Sequence, residues 1–432
     1  MVDAGGHTVL RCFDGDVYTC GYNSSGQLGN GSNVSGNAFS KVQGLPNIVQ
    51  VRSGVEHTLV LDTEGNVWAW GNNDYGQLGD SSYVSRNTPF KLSAIDSVVA
   101  IEGGWQFSIY LLEDSTVWAN GENTNGQVGV VSPPYSVNAP HKISNLNNVI
   151  GVSAGFDHCL ALRSDGTVWS WGYNSYGQLG DGTTNSSVNP VQVQGLTNVV
   201  GIEAGWSVSY AVKNDGSLWS WGSNTYGQLG IGQAPGSMSN PSAQLVSGVD
   251  SIKMVRSNVD FTLAVRADGS VWGWGKNLAG QLGDGTKTNK KIPTQIPGLN
   301  RVVSVATGSS FSYAVNDSGK IYSWGGSLEG ALGSDTVIQK LNPSPITPIA
   351  CNPIISVTEV EFTKSMSVEV YPNPTSGNLT IKFGELSTVT ISICDISGKL
   401  IDTYKNANSS KLNLNIKEHE EGVYFFKVQK EG

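Results

Sequence analysis

Three of the five histidines in this 432-residue chain, His7, His57 and His158, hold the same position of a repeated segment. Imidazoles brought round a common axis could converge on a metal ion. The same position holds Phe107, Val208, Phe261 and Phe311 in the other repeats. A slot that accepts Phe and Val is an apolar packing slot, so the histidines are read as core residues and no metal site is assigned. His141 and His419 stand alone. Asp157 and Asp260, two repeats apart, are the only carboxylates placed to act as a pair. No Ser/His/Asp grouping, phosphate-cradling G-x-x-x-x-G-K-[ST] or D-x-[DN]-x-[DN]-G calcium loop occurs. No catalytic residue and no cofactor are assigned.

A different chemistry is suggested by a short turn that mostly reads Gly-x-x-(His/Phe). Its middle residues vary as Val55-Glu56, Trp105-Gln106, Phe156-Asp157, Trp206-Ser207, Val259-Asp260 and Ser309-Ser310. Residues common to all repeats build a scaffold, whereas residues that differ are free to bind. Glu56, Trp105, Gln106, Phe156, Asp157, Trp206 and Asp260 are therefore the candidate partner-binding residues. Aromatic rings with polar neighbours on an open face are the usual composition of a protein or sugar contact site. The alternative is that the rings fold back and plug a central channel.

The elements that position these turns come from one recurring string, W-x-W-G-x-N-x-x-G-Q-L-G in its fullest form. It holds ten of the twelve tryptophans and returns seven times, with its first glycine at Gly21, Gly71, Gly121, Gly172, Gly222, Gly275 and Gly325. Self-similarity at a period of about 50 residues predicts an array of small sheets, here an all-β, seven-bladed β-propeller. In the second repeat, Asn47–Val51, His57–Leu61 and Val67–Trp70 read as strands, with a hairpin at Thr63-Glu64-Gly65-Asn66. Asp-Gly in the equivalent turns predicts type I′ geometry, and Asp114-Ser115 in the third repeat predicts a looser hairpin. Trp68 and Trp70 lie two apart and should share one face, buried by the next blade. Asn120, or Tyr18 with Cys20, in the tryptophan slots predicts weaker interfaces. A fourth strand should open with proline, as at Pro89, Pro140, Pro190, Pro293 and Pro345, which suits an outer edge.

The net charge of −9 disfavours nucleic acid, whose phosphates are bound by clustered Lys and Arg. Lys287, Lys290 and Lys291 read as a solvated loop. Five cysteines without a C-x-x-C signal neither a disulfide framework nor zinc, and Cys159 should be a small packed residue. No transmembrane segment is expected, because no apolar run reaches the roughly 18 residues that span a bilayer. A monomer is expected.

The strings Val67-Trp68-Ala69-Trp70-Gly71-Asn72-Asn73 and Gly76-Gln77-Leu78-Gly79, preceded by Gly54-x-x-His57-Thr58-Leu59, resemble the repeat of the regulator of chromosome condensation family. That resemblance covers residues 1–350 and implies the seven-bladed propeller. It implies no single activity. Nucleotide exchange on a small GTPase, the founder's role, is not carried over, since the even repeat spacing leaves no room for a projecting insertion. Residues 367–432 are similar to the type A sorting domain of the type IX (Por) secretion system of Bacteroidota. The resemblance rests on Val370-Tyr371-Pro372-Asn373-Pro374-Thr375-Ser376-Gly377, Asp395-Ile396-Ser397-Gly398-Lys399 and Gly422-Val423-Tyr424-Phe425-Phe426. It implies a small Ig-like β-sandwich that hands the chain to the secretion machinery, with residues 351–366 as linker. Such cargo carries an N-terminal export signal, so the chain is expected to lack its natural N-terminus. The function expected is a secreted or cell-surface module that binds an extracellular protein or glycan. The alternatives are a secreted polysaccharide-acting enzyme using the same face and, less favoured, a nucleotide-exchange activity.

Overall fold

The computed structural model describes residues 2–12, 14–131, 134–233, 239–327, 330–333 and 339–346, and the backbone of four strands between 368 and 430. Each repeat forms one four-stranded antiparallel sheet whose strands follow sequence order. The seven sheets span residues 2–41, 48–91, 98–142, 149–192, 199–245, 252–295 and 302–345, and they are blades 1 to 7 of a β-propeller. In blade 2 the strands are Ile48–Ser53, His57–Asp62, Val67–Gly71 and Arg86–Lys91.

The apolar core lies between blades. One cluster joins Leu59, Leu61, Val67 and Leu78 of blade 2 to Val98, Ile101 and Tyr110 of blade 3. The ring closes without exchanging a strand, since blade 1 takes all four of its strands from the first repeat. Its inner strand, Val2–Ala4, pairs with His7–Arg11. The turn of blade 1 is one residue shorter than the others, because Ala4 faces Thr8 where Ser53 faces Thr58. Across the closure, Thr8 Oγ1 donates to the Ala331 carbonyl of blade 7 at 3.1 Å.

A polar network repeats at the blade interfaces. The second tryptophan of each pair is fully buried and its Nε1 donates to a glutamine carbonyl of the preceding blade. The distances are 2.8 Å for Trp70 to Gln27, 2.9 Å for Trp171 to Gln127 and 2.8 Å for Trp221 to Gln178. Thr58 Oγ1 donates to the same Gln27 carbonyl at 2.9 Å and meets His7 Nε2 at 2.6 Å. A hydroxyl has one proton, already given to the carbonyl, so His7 carries its hydrogen on Nε2. His57 meets Ser108 at 3.0 Å and His158 meets Ser209 at 2.8 Å in the same way. The three histidines are buried, and burial pulls each imidazole down to about 3. Their slot packs Phe in other blades, yet here it also links neighbours by a hydrogen bond.

Several sequence expectations are corrected. The tryptophan pair is split in depth and packs on the preceding blade. Trp68, Trp169, Trp219 and Trp272 are half-buried, and Trp169 lies under the Arg163 guanidinium at 4.0 Å from its ring centroid. The hairpins are not type I′. Only the glycine has positive φ (81° at Gly65, 77° at Gly166), and its N–H bonds three residues back, to Asp62 and Arg163. This is a type I turn followed by a left-handed residue. The third hairpin is not looser. Ser115 adopts φ 64° and bonds Leu112 at 2.9 Å, preserving the register. Pro89, Pro140, Pro190 and Pro293 sit inside the fourth strand and Pro345 ends it, so none opens it. Gly71 pairs with Arg86 and Ala69 with Phe90, so Pro89 falls in a bulge where no ladder N–H is needed. Cys12 is disulfide-bonded, while Cys20 and Cys159 are free and buried.

The chain divides into two compact units, residues 1–11 with 15–349, and residues 12–14 with 350–432. In the second unit, Asn378–Asp395 pairs along its length with Leu400–Asn415. Its other edge takes Val368–Tyr371 and Tyr424–Lys430. Among the described residues these four strands belong to one antiparallel sheet, and no second sheet of a sandwich is described. The linker 351–366 and residues 372–377 of the sorting motif lie outside the described residues.

Candidate partner-binding face

The variable turns connect the first and second strands of each blade. Their anchor is the glycine that follows the tryptophan pair. The carbonyl of the second turn residue accepts the N–H just after that glycine: Glu56 from Asn72 at 2.9 Å, Gln106 from Glu122 and Asp157 from Tyr173 at 2.8 Å, and Asp260 from Lys276 at 2.9 Å. Gly172 has φ 103°, and a Cβ there would lie 2.4 Å from the Asp157 carbonyl oxygen. Glycine is thus required for the turn and the following loop to approach each other. The next asparagine pins that loop: Asn73 Nδ2 donates to the Ser82 and Val84 carbonyls at 3.2 Å.

The first turn residues are brought together. Trp105, Phe156 and Trp206, from blades 3, 4 and 5, form a continuous stack. Centroids are 4.1 Å apart for the first pair and 3.8 Å for the second, with planes 18° and 15° from parallel. The backbone follows, since Trp105 N–H donates to Phe156 O and Phe156 N–H to Trp206 O, both at 3.3 Å. Trp105 and Phe156 are half-buried, and Trp206 is 37% exposed. All three border the cavity on the propeller axis.

The second turn residues do not join that stack. Asp157 sits in the cleft with blade 3, accepting from Asn125 Nδ2 at 3.3 Å and Gln127 Nε2 at 3.5 Å. Burial, then the Glu122 carboxylate, push its carboxyl up to about 7. Asp260 sits in the cleft with blade 5, ion-paired to Lys276 at 3.2 Å and accepting from Gln228 at 3.4 Å. Burial raises its carboxyl and Lys276 opposes the shift. Glu56 is raised by burial and by Asp74. The Gln106 Oε1 is buried without a hydrogen-bond partner. Asp157 and Asp260 therefore occupy separate clefts and share no neighbour that would make them an acid/base pair.

One feature was missed in the sequence. The position facing Val9, Leu59, Ile109, Leu160, Tyr210, Leu263 and Tyr313 holds Asp3, Arg52, Glu102, Ser153, Glu203, Arg256 and Ala306. The first six line the axial cavity, whose volume is about 80 Å³, room for several water molecules. Arg52 pairs with Glu102 and Arg256 with Glu203, each at 2.9 Å. Burial pushes the Glu203 carboxyl up to about 7, against the pull of Arg256 and with a push from Glu102. The signal was the same one that exposed the turn tips: a repeat position whose chemistry changes from blade to blade.

A propeller of seven such blades with one variable face defines a class of repeat protein, and comparison places the chain within it. The family described as RCC1-like domain matches residues 1–256, and regulator of chromosome condensation (RCC1) repeats match 268–315 and 302–331. The chain belongs to the RCC1-like domain family. Residues 369–432 match the secretion system C-terminal sorting domain, which marks the chain for export by the type IX route. The ultraviolet-B receptor UVR8 of Arabidopsis thaliana is 28% identical over 163 residues, 38% of this chain and 24% of the relative. The probable E3 ubiquitin-protein ligase HERC3 of Homo sapiens is 30% identical over 165 residues, 37% of this chain and 11% of the relative. The matches thus span a quarter or less of these relatives. Among solved structures, Prp20p of Saccharomyces cerevisiae superposes with a TM-score of 0.71 at 25% identity, covering 79% of this chain and 87% of that one. Human WBSCR16 gives 0.70 at 24% identity, covering 79% and 95%. No helix of the described residues is long and apolar enough to cross a membrane.

Proposed function

We propose that this protein is an exported binding module that recognises an extracellular protein, with a glycan as the second ligand class, through the face bearing Trp105, Phe156 and Trp206. The observation that carries this reading is the three-ring stack, open to solvent at Trp206, with the polar residues Glu56, Gln106, Asp157 and Asp260 on the same set of turns. Aromatic anchors in a polar surround concentrate binding energy at protein interfaces. The sorting domain supports an extracellular setting. Prp20p is reported to bind Gsp1p and histones, which supports protein as the ligand class for this fold. The domain division that fits this reading is a propeller over 1–350, a linker over 351–366 and a sorting domain over 367–432.

The test is capture with the full chain from envelope and culture-medium proteins, in parallel with a glycan array. A ligand retained by the wild type and lost on Trp206→Ala supports the reading. A ligand retained equally by both places recognition elsewhere.

A further inference from the structure

Two clefts of this face are built from equivalent positions and differ in charge. Between blades 5 and 6, Asp260 is neutralised by Lys276 Nζ at 3.2 Å, and Gln228 Nε2 bridges Asp260 and Ser223 Oγ at 3.4 and 3.3 Å. Between blades 3 and 4, Asp157 takes the place of Asp260 and Gln127 that of Gln228. Tyr173 stands where blade 6 has Lys276, and Glu122 stands where blade 5 has Ser223. The lysine is gone and a second carboxylate has been added.

Glu122 is 8% exposed. Its Oε1 accepts from Thr124 at 2.9 Å, while its Oε2 is buried and has no hydrogen-bond partner. Among the described residues no lysine or arginine forms an ion pair with either Glu122 or Asp157. The amides of Asn125 and Gln127 donate to Asp157 but cannot balance a charge. A buried carboxylate without a counter-charge is unfavourable, so a cation entering here gains more than one on an open surface.

We propose that the Glu122–Asp157 cleft is a receptor for a primary ammonium group, a lysine side chain presented by the protein partner. This rests on the reading of the face as a protein-binding surface. Lys276 shows in the same molecule which group fits the slot, and an ammonium brings three donors for the open Oε2 and the Asp157 oxygens. A divalent ion fits less well. Calcium and magnesium take six or more oxygens, and no group of three His, Cys, Asp or Glu residues able to hold a metal exists among the described residues.

The full-length protein is titrated with Ac-Gly-Lys-Gly-NH2 and with its norleucine counterpart, followed by saturation-transfer NMR at about pH 8, where Asp157 is largely ionised. The lysine peptide should bind and the norleucine peptide should not. Glu122→Gln and Asp157→Asn should each weaken binding about tenfold or more. Tyr173→Lys restores the lysine that blade 6 carries. It should abolish peptide binding while raising the thermal midpoint, a combination that misfolding cannot produce. Equal binding of the two peptides, or indifference to Glu122→Gln, overturns the proposal. So does saturable calcium binding lost in the same variants without peptide binding. Combined alanine substitution of Trp105, Phe156 and Trp206 should leave peptide binding intact. Peptide binding and partner capture both surviving that variant would overturn only the reading of the aromatic stack as the partner-binding surface.

Discussion

Phe156 and Trp206 are stacked with their centroids 3.8 Å apart, and Trp105 covers the opposite face of Phe156. The middle ring has aromatic neighbours on both sides, whereas Trp206 keeps its outer side toward solvent. Stacked pairs contribute about 0.5–1.5 kcal/mol beyond area burial, so the three rings hold one another in a fixed array. Phe156→Ala should therefore loosen both tryptophans. Acrylamide quenching of tryptophan emission should rise in the variant, and the thermal midpoint should fall by only a few degrees.

The split of the tryptophan pairs sets a stability contrast. Trp171 is fully buried with its indole N–H satisfied by Gln127, and Trp171→Ala should cost about 3–5 kcal/mol. Trp169 is half-buried beneath Arg163, and Trp169→Ala should cost roughly 1–2 kcal/mol. Denaturant titration of the two variants measures the difference.

The buried histidines give the protein an acid-sensitive component. Below the ordinary imidazole range the unfolded chain takes up a proton that His57 refuses until about 3. The unfolded state then binds more protons, so stability falls as pH falls through that window. At pH 5 the loss relative to neutral pH is roughly 2 kcal/mol per histidine. Asp157 and Glu203, raised to about 7, act in the opposite sense, favouring the folded state as pH falls toward 4. His57→Phe, the residue other blades carry here, leaves those carboxyls in place. Its stability should decline less than that of the wild type between pH 7 and 5, by about that 2 kcal/mol, in denaturation curves at the two pH values.

Ser115 occupies a left-handed position that glycine holds in other blades. That conformation costs an L residue about 1–2 kcal/mol, partly offset by the greater freedom of an unfolded glycine. Ser115→Gly should stabilise the protein by roughly 0.5–1 kcal/mol, read as a rise in thermal midpoint.

The blade count was legible because seven in-register copies of a string repeat at one period, and a single small sheet cannot bury its tryptophans alone. Alternation told which side of the strand Trp68 and Trp70 share, but not how deep each lies, since depth depends on how the preceding blade is placed. The position of Pro89 was hidden by the bulge opposite Trp70, which adds residues to one strand only. The turn tips were found as a variable repeat position. The axial charges Arg52, Glu102, Glu203 and Arg256 give the same signal three residues before the first turn residue, but their pairing needs the closed ring. The bond made by Cys12 depends on proximity in the fold, which spacing does not encode.

The central claim is that the aromatic stack is the working surface of this face. The direct measurement is the affinity of the captured partner for the wild type and for the combined alanine variant of Trp105, Phe156 and Trp206, with the thermal midpoint of each recorded alongside. Loss of at least about a hundredfold in affinity with a midpoint within a few degrees is the predicted result. Unchanged affinity in a folded variant, or global unfolding of the variant, would contradict it.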